Sequence, residues 1–152
     1  MNQVSMNKLL PKTQPILIVE DSPDDFEATK RAFGKANLRN EIAHCVSGET
    51  ALAYLRCDAN EKPGIILLDL NMPGLDGRKT LEIIKKTGSL KSIPIVILTT
   101  SNDERDVQAC YELGANTYIQ KPVDFDGLIA AIRRLKEYWF EIALLPKEGD
   151  RE

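Results

Sequence analysis

The chain has 152 residues, of which 43% are hydrophobic, and this length and composition suit one packed domain rather than two. Its 20 basic and 23 acidic residues give a formal net charge of −3. That charge provides no general attraction for nucleic acid or anionic lipid. The first residues lack the apolar core of a signal peptide, and no segment approaches the roughly eighteen apolar residues of a membrane span. We therefore predict a cytoplasmic protein that contacts neither nucleic acid nor a membrane.

The chain begins with a polar stretch, residues 1–13, that has no periodicity and is predicted to be a flexible tail. The apolar run Ile16–Val19 then predicts a strand that is buried on both faces. Ser22 is a suitable N-cap, and Pro23 is typical of a first helical position, so a helix is expected from there to about Ala36.

Four more strands, each followed by a helix, continue the pattern. Strands are predicted at Glu41–Val46, Ile65–Leu68, Ile93–Leu98 and Thr117–Gln120, and helices at Ser47–Cys57, at Gly77–Lys86, from the cap Ser101 to the stop at Gly114, and from about Asp124. Strands that alternate with helices predict a parallel sheet with helices on both faces, because the crossovers are right-handed. The expected fold is an α/β three-layer sandwich around one five-stranded sheet.

Three carboxylates follow two of the predicted strands. Glu20 and Asp21 come directly after the first strand, and Asp69 comes directly after the third. The carboxyl ends of parallel strands share the rim at which open α/β sheets bind ligands, so these side chains should converge there. They would repel one another unless a hard cation lay among them. Because no His or Cys accompanies them, the oxygen ligands favour Mg²⁺ over zinc.

A hydroxyl and an ammonium group should reach the same rim, since Thr99 follows the fourth strand and Lys121 follows the fifth. Carboxylates act as nucleophiles toward phosphorus, and these two groups would hold the oxygens of a phosphoryl group on Asp69. The cation and Lys121 would neutralise charge on the equatorial oxygens during in-line transfer. We therefore predict that Asp69 is a phosphoryl acceptor.

Residues 14–136 resemble the receiver domain of two-component response regulators. The resemblance depends on ordered motifs: Glu20-Asp21, Asp69 with Met72-Pro73 and Gly77, Thr99, Gly114-Ala115, Tyr118 and Lys121-Pro122. It implies a flavodoxin-like sheet with the strand order 2-1-3-4-5. It also implies a cis peptide bond before Pro122.

The resemblance implies a role for each acidic residue of the rim. Asp69 would accept the phosphoryl group from a histidine of a sensor kinase. Asp21, Asp69 and the main-chain carbonyl of Asn71 would ligate Mg²⁺, with Glu20 helping through a water molecule. Such a protein is a phosphoryl acceptor with slow self-dephosphorylation, and not an enzyme.

The resemblance also implies a switch. Thr99 and Lys121 would bind the phosphoryl oxygens, and Tyr118 would turn inward when Thr99 moves. This movement would alter the face formed by helix 4, strand 5 and helix 5. The single histidine, His44, falls in the second strand and is expected to be structural, so the donor histidine must belong to another protein.

Three other functions remain open. An aspartate-nucleophile phosphatase of the haloacid-dehalogenase type needs a second acid two residues after the nucleophile, where this chain has Asn71. A phosphorylation-independent binding module would not bind Mg²⁺. A flavin-binding protein of similar fold is disfavoured, because the acidic run from Glu20 to Asp25 would repel the phosphate of the cofactor.

The C-terminal segment 137–152 is predicted to extend the last helix and end in a tail. Apolar residues recur there at spacings of four and three: Leu128, Ile132, Leu135, Trp139 and Ile142. The aromatic residues of this segment would expose more apolar surface than a monomer usually leaves in water. We therefore predict a homodimer that forms through helix 4, strand 5, helix 5 and this extension. The alternative is that the extension folds back on its own domain.

Two stretches point to a subgroup of the family. The run Glu-Asp-Ser-Pro-Asp-Asp at 20–25 and the run Glu-Tyr-Trp-Phe at 137–140 are similar to those of small stand-alone regulators that pair with bacterial and cyanobacterial phytochromes. This resemblance implies a phytochrome-type sensor kinase as partner. No DNA-binding output domain is expected in 137–152, so output would come from protein contacts.

Overall fold

The computed structural model describes residues 14–142, and it contains five strands, five α-helices and one π-helical segment. The strands are β1 (Ile16–Val19), β2 (Ile42–Cys45), β3 (Ile65–Leu68), β4 (Ile95–Thr99) and β5 (Thr117–Gln120). The helices are α1 (Pro23–Lys35), α2 (Gly48–Arg56), α3 (Gly77–Lys86), α4 (Glu104–Glu112) and α5 (Phe125–Lys136), and the π-helical segment is Glu137–Ile142. The expected tail 1–13 and residues 143–152 lie outside the described residues.

The five strands form one parallel sheet with the order β2-β1-β3-β4-β5. Every residue of β1, β3 and β4 is buried, as the continuous apolar runs predict for strands covered on both faces. Val19 pairs with Leu68, and Leu68 pairs with Ile97, so the three central strands end at the same level. The predicted fold and strand order are confirmed.

Two apolar cores fill the space between the sheet and its helices, because successive strand residues point to opposite faces. One core contains Leu17, Val19, Ile66, Leu68 and Ile97 of the sheet with Leu52, Leu55, Leu81, Ile84 and Cys110 of α2, α3 and α4. The other contains Ile16, Ile18, Leu67 and Val96 with Phe33, Ile132 and Leu135 of α1 and α5. The helices therefore form the two outer layers of the sandwich.

The helix caps agree with the sequence at most positions. Ser22 and Ser47 cap the helices α1 and α2 that were predicted to start there, and Asp124, near which the last helix was predicted to start, caps α5. The predicted cap of α4 was wrong, because Asp103 occupies that position and accepts a hydrogen bond from the main-chain nitrogen of the second helical residue. Ser101 instead donates its hydroxyl to the Asp106 carboxylate within the helix and accepts from the main-chain nitrogen of the cap residue Asp103.

The C-terminal segment departs from the predicted regular helix. A π-helix spaces contacts five residues apart, so Phe140 follows Leu135 into the core, while Trp139 is partly buried and packs against the same core. Phe140 is only 5% exposed and belongs to the core between the sheet, α1 and α5, whereas Tyr138 is 53% exposed. Phe140 therefore packs on its own domain, as the fold-back alternative expects for this residue, and the homodimer stays a prediction.

Within residues 14–142, no helix combines the length and the apolar character needed to cross a bilayer.

Candidate functional site

Three carboxylates meet at the carboxyl ends of β1 and β3. Glu20 and Asp21 follow β1, and Asp69 follows β3, which is the strand paired with β1. One carboxylate oxygen from each residue lies within 4.8 Å of the other two. Glu20 is 4% exposed and Asp69 is 8% exposed. The structure thus brings the predicted acidic residues together in a largely buried cluster.

The electrostatics of this cluster favour a bound cation. Burial raises the pKa of the Glu20 carboxyl, the hydrogen bond from Lys121 opposes that rise, and the nearby negative charge of Asp69 adds to it. The pKa stays above its ordinary value, so Glu20 is held in surroundings that disfavour its charged form. A divalent cation would neutralise the cluster, and a ligand set made only of oxygens fits a hard cation such as Mg²⁺.

Lys121 provides the positive charge of the site. Its main-chain nitrogen donates to the Thr99 carbonyl oxygen at 2.6 Å, which fixes the end of β5 beside β4. Its Nζ lies 2.5 Å from Glu20 Oε1 and 3.2 Å from Asp25 Oδ2. Burial lowers the pKa of this ammonium, but the bond to Glu20 and the charge of Asp69 outweigh that effect and raise the pKa. Lys121 therefore stays charged.

Thr99 is the last residue of β4, and its side chain is fully buried. Its Oγ1 has no hydrogen-bond partner among the described residues. A buried hydroxyl without a partner is unfavourable by roughly 1–3 kcal/mol, so such groups usually find one. An oxygen of a phosphoryl group on Asp69 could accept a hydrogen bond from this hydroxyl. Thr99 is therefore suited to a site that binds such a group.

The loop after Asp69 leads directly into α3. Met72 is buried beneath it, whereas Asn71 is exposed. Gly77 donates its N–H to the Leu70 carbonyl oxygen at 3.1 Å and thereby closes the loop. Asn71 lies in this loop, two residues after the acceptor. The role of its main-chain carbonyl oxygen as a metal ligand stays a prediction.

The peptide bond between Lys121 and Pro122 is trans, as are all the others in residues 14–142. The cis bond that the family resemblance implied is therefore wrong for this structure. A trans bond is the ordinary state before proline, favoured by about 0.5–1 kcal/mol.

Comparison with known proteins decides the family. The model of the response regulator receiver domain matches residues 16–133, which is most of the chain. The chain belongs to this family. The response regulator Rcp1 of Synechocystis sp. is 37% identical over 135 residues, which covers 86% of this chain and 92% of Rcp1.

Two solved structures are similar to this receiver domain along nearly their whole length. The phosphorylated cyanobacterial phytochrome response regulator RcpA has a TM-score of 0.83 and 37% identity, and the match covers 89% of this chain and 99% of RcpA. The Mn²⁺-bound form of Rcp1 has a TM-score of 0.82 and 36% identity, and the match covers 88% of this chain and 99% of Rcp1. These similarities confirm the receiver fold and place this chain among response regulators of two-component signalling.

In this receiver domain, Tyr118 is tied to the loop that follows β4. Its hydroxyl donates to the Ser101 carbonyl oxygen at 2.9 Å, and its main-chain nitrogen donates to the Tyr111 hydroxyl at 3.1 Å. Ser101 lies only two residues beyond Thr99. Any movement of Thr99 would therefore act on the loop that holds Tyr118, although the sequence alone does not indicate these contacts.

A second network beside the site was not predicted from the sequence. Arg78 of α3 donates through Nε and Nη2 to Asp106 Oδ1 of α4, at 3.1 and 2.9 Å. The other carboxylate oxygen of Asp106 accepts from the Ser101 hydroxyl at 2.7 Å. The three residues link α3, α4 and the loop after β4. No sequence motif marks them, because their spacing in the chain follows no local period.

Proposed function

We propose that this receiver domain accepts a phosphoryl group on Asp69 from the histidine of a sensor kinase. One arrangement carries the proposal: Asp69 lies in a buried acidic cluster, with the charged Lys121 nearby, and the buried hydroxyl of Thr99 has no partner within the described chain. An acceptor carboxylate, a cation, an ammonium and a hydroxyl are the groups that phosphoryl transfer requires, because its catalysis depends on positioning and charge neutralisation.

Mg²⁺ is the proposed metal. Asp21, Asp69 and the main-chain carbonyl of Asn71 would bind it, with Glu20 acting through a water molecule. The bound ion would neutralise negative charge on the transferring group. Support comes from the three carboxylates with oxygens within 4.8 Å of one another and from the related Rcp1, which has a Mn²⁺-bound form.

Lys121 and Thr99 would bind the phosphoryl oxygens, and Tyr118 would follow Thr99. The chain's single histidine, His44, is not the donor, because it has a structural place in β2. Its ring stacks on that of Phe26 with 3.6 Å between the ring centroids, and its Nε2 lies 2.8 Å from the Glu20 carbonyl oxygen. The donor must therefore come from a partner, and the phytochrome response regulator RcpA makes a phytochrome-type kinase the first candidate.

Output is proposed to come from the face formed by α4, β5 and α5, through homodimerisation that also includes the extension from Glu137. Tyr138 is the exposed aromatic of that extension, and it borders an apolar groove beside Ile119 and Leu135. Slow self-dephosphorylation would return the receiver to its resting state. Action in the cytoplasm, without nucleic acid or membrane contact, stays a prediction.

The phosphatase alternative is weaker than the receiver function. A phosphatase of that type needs a second acid two residues after the nucleophile, and Asn71 occupies this position. Asn71 carries no proton that it can give to a leaving group. Family membership and the missing acid both support stoichiometric phosphorylation rather than turnover of phosphate esters.

Phosphorylation by acetyl phosphate with Mg²⁺, followed by intact-mass measurement, tests the proposal without the cognate kinase. The wild type should gain one phosphoryl group, and the gain should disappear with EDTA and in Asp69→Asn. Asp58→Asn is a matched control, because Asp58 is an exposed carboxylate in a turn outside the site. Equal labelling of the wild type and Asp69→Asn would refute the assignment.

A further inference from the structure

Lys121 is held by a carboxylate that does not belong to the acidic cluster. Besides its bond to Glu20, Lys121 Nζ lies 3.2 Å from Asp25 Oδ2, and among the ion pairs of residues 14–142 none joins Lys121 to Asp69. Asp25 lies in the first turn of α1, where the Ser22 hydroxyl accepts its N–H at 3.2 Å. The ion pair therefore ties the loop after β5 to a fixed point on α1.

A phosphoryl group on Asp69 would have to compete for this ammonium. A cation in the cluster would attract Glu20 and weaken its hold on Lys121, since the two positive charges share one carboxylate. Asp25 is not part of the cluster formed by Glu20, Asp21 and Asp69, so a bound cation leaves its charge for Lys121. In the metal-loaded receiver, Asp25 is then the competitor that remains.

We propose that Asp25 is a positioning residue that retains Lys121 in the unphosphorylated receiver and thereby lowers the affinity of the site for a phosphoryl group. The inference depends on the proposed function, because the competition exists only if Asp69 carries the group. It goes further in assigning a regulatory effect to a carboxylate that binds neither the metal nor the phosphoryl group. In the sequence alone, Asp25 is only the last residue of the acidic run from Glu20 to Asp25.

The expected effect is modest, because the Asp25 side chain is 51% exposed although that of Lys121 is 11% exposed. Ion pairs with an exposed partner contribute little, and removal of this one should strengthen phosphoryl binding about two- to fivefold. Asp25→Asn should fold normally, because the main-chain bond to Ser22 does not involve the substituted group.

The experiment measures binding of beryllofluoride, a mimic of a phosphoryl group on a carboxylate, by calorimetry at saturating Mg²⁺. Asp25→Asn should bind it two- to fivefold more tightly than the wild type does. Asp24→Asn is the matched control, since Asp24 is exposed in the same helical turn and has no ion pair within residues 14–142. An equal gain in the two variants would show a general effect of charge and overturn the proposal.

A double-mutant cycle provides a readout that a purely structural role would not change. Unfolding of the wild type, Asp25→Asn, Lys121→Gln and the double variant in Mg²⁺ gives the coupling between the two side chains. The coupling should be stabilising in Mg²⁺ alone. When beryllofluoride is added, the difference in free energy of unfolding between the wild type and Asp25→Asn should become smaller, because Lys121 then turns to the phosphoryl mimic. Absence of coupling in Mg²⁺ alone would also overturn the proposal.

The two levels of the hypothesis fail differently. If the wild type neither binds beryllofluoride nor is labelled by acetyl phosphate, the phosphoryl acceptor function is wrong, and the role of Asp25 is wrong with it. If the wild type binds and Asp25→Asn matches Asp24→Asn, the receiver function stands, and only the positioning role is refuted.

Discussion

Gly77 lies directly against the main chain of Asp69. A Cβ at Gly77 would overlap the Asp69 carbonyl oxygen and would lie 2.7 Å from Leu70 Cα. Real Cβ atoms do not approach the backbone so closely, so the first turn of α3 can pack on the acceptor only when this residue is glycine. The position of the acceptor Asp69 thus depends on the lack of a side chain at Gly77, eight residues later in the sequence.

Gly77→Ala should therefore destabilise the receiver. Overpacking against backbone that cannot move freely lowers the free energy of unfolding by about 1–3 kcal/mol, and we expect Mg²⁺ affinity to fall as the loop shifts. Urea denaturation and Mg²⁺ titration measure the two effects. Gly34→Ala is the control, because nothing lies within 4 Å of a Cβ at this helical position; it should be neutral or stabilising by up to about 1 kcal/mol. Unchanged stability of Gly77→Ala would contradict the close packing.

Asp69→Asn should stabilise the metal-free protein while it removes the acceptor. The substitution deletes one of three crowded negative charges and relieves Glu20, whose pKa is raised by burial and also by the charge of Asp69. We expect the free energy of unfolding in EDTA to rise by about 1 kcal/mol, because two like charges roughly 4 Å apart repel by about that amount even in bulk water. Mg²⁺ should stabilise the wild type more than the variant, because the ion loses one ligand. Thermal melts in EDTA and in Mg²⁺ test both points, and a variant less stable than the wild type in EDTA would contradict the repulsion.

Much of this architecture follows from local sequence. The apolar runs ending at Val19 and Leu68 predict buried strands, and the pairing of these strands brings the carboxylates after them together. Ser22 and Asp124 lie at predicted helix starts. An N-cap needs only a polar side chain that accepts a hydrogen bond from the main-chain N–H three residues later. Such signals act over a few residues and can therefore be read directly.

The features that the sequence did not indicate arise from contacts between distant elements. The sequence predicts Ser101 as a helix cap, but its hydroxyl donates to Asp106, and Arg78 binds that carboxylate from another helix. Phe140 enters the core because a single π-helical segment changes the spacing from the preceding turn. The link from Lys121 to Asp25 joins residues that lie 96 positions apart. No period or motif marks such contacts.

Asp106 should contribute a pH-dependent part of the stability. The bonds from the Ser101 hydroxyl and the Arg78 guanidinium lower the pKa of its carboxyl below the ordinary value of 3.8. A carboxyl group with a depressed pKa in the folded state stabilises the fold at pH values above its pKa in the unfolded chain. This stabilisation is lost as the pH falls through the pKa of the folded state. Asp106→Asn should therefore lower the free energy of unfolding by about 1 kcal/mol at neutral pH. The loss is modest because the Asp106 side chain is 21% exposed. The difference from the wild type should shrink below pH 3.8.

Denaturation of the wild type and Asp106→Asn across this pH range checks the prediction. Asp58→Asn is the control, because it removes the same charge from an exposed turn outside this network. A difference between the wild type and Asp106→Asn that is independent of pH would indicate a packing effect rather than an electrostatic one.

Phe140→Ala should destabilise the domain. The side chain is 5% exposed in the core that contains Leu135 and Phe33. Truncation of a buried Phe lowers the free energy of unfolding by about 3–5 kcal/mol, and a position close to the end of the described helix favours the lower figure. Urea denaturation of the variant measures this loss. A stability equal to that of the wild type would show that the C-terminal segment does not pack on its own domain in solution.

Tyr138→Ala separates dimerisation from stability. Because Tyr138 is 53% exposed, its truncation should change the free energy of unfolding by less than about 0.5 kcal/mol.

If the groove that Tyr138 borders with Ile119 and Leu135 is part of the dimer interface, loss of this aromatic should weaken self-association about tenfold or more. Sedimentation at several protein concentrations, with and without beryllofluoride, measures the association. Val46→Ala is the control, since Val46 is another exposed apolar residue, 52% exposed, and it follows β2 at the opposite edge of the sheet from β5. An association constant unchanged by Tyr138→Ala would place the interface on another part of the receiver.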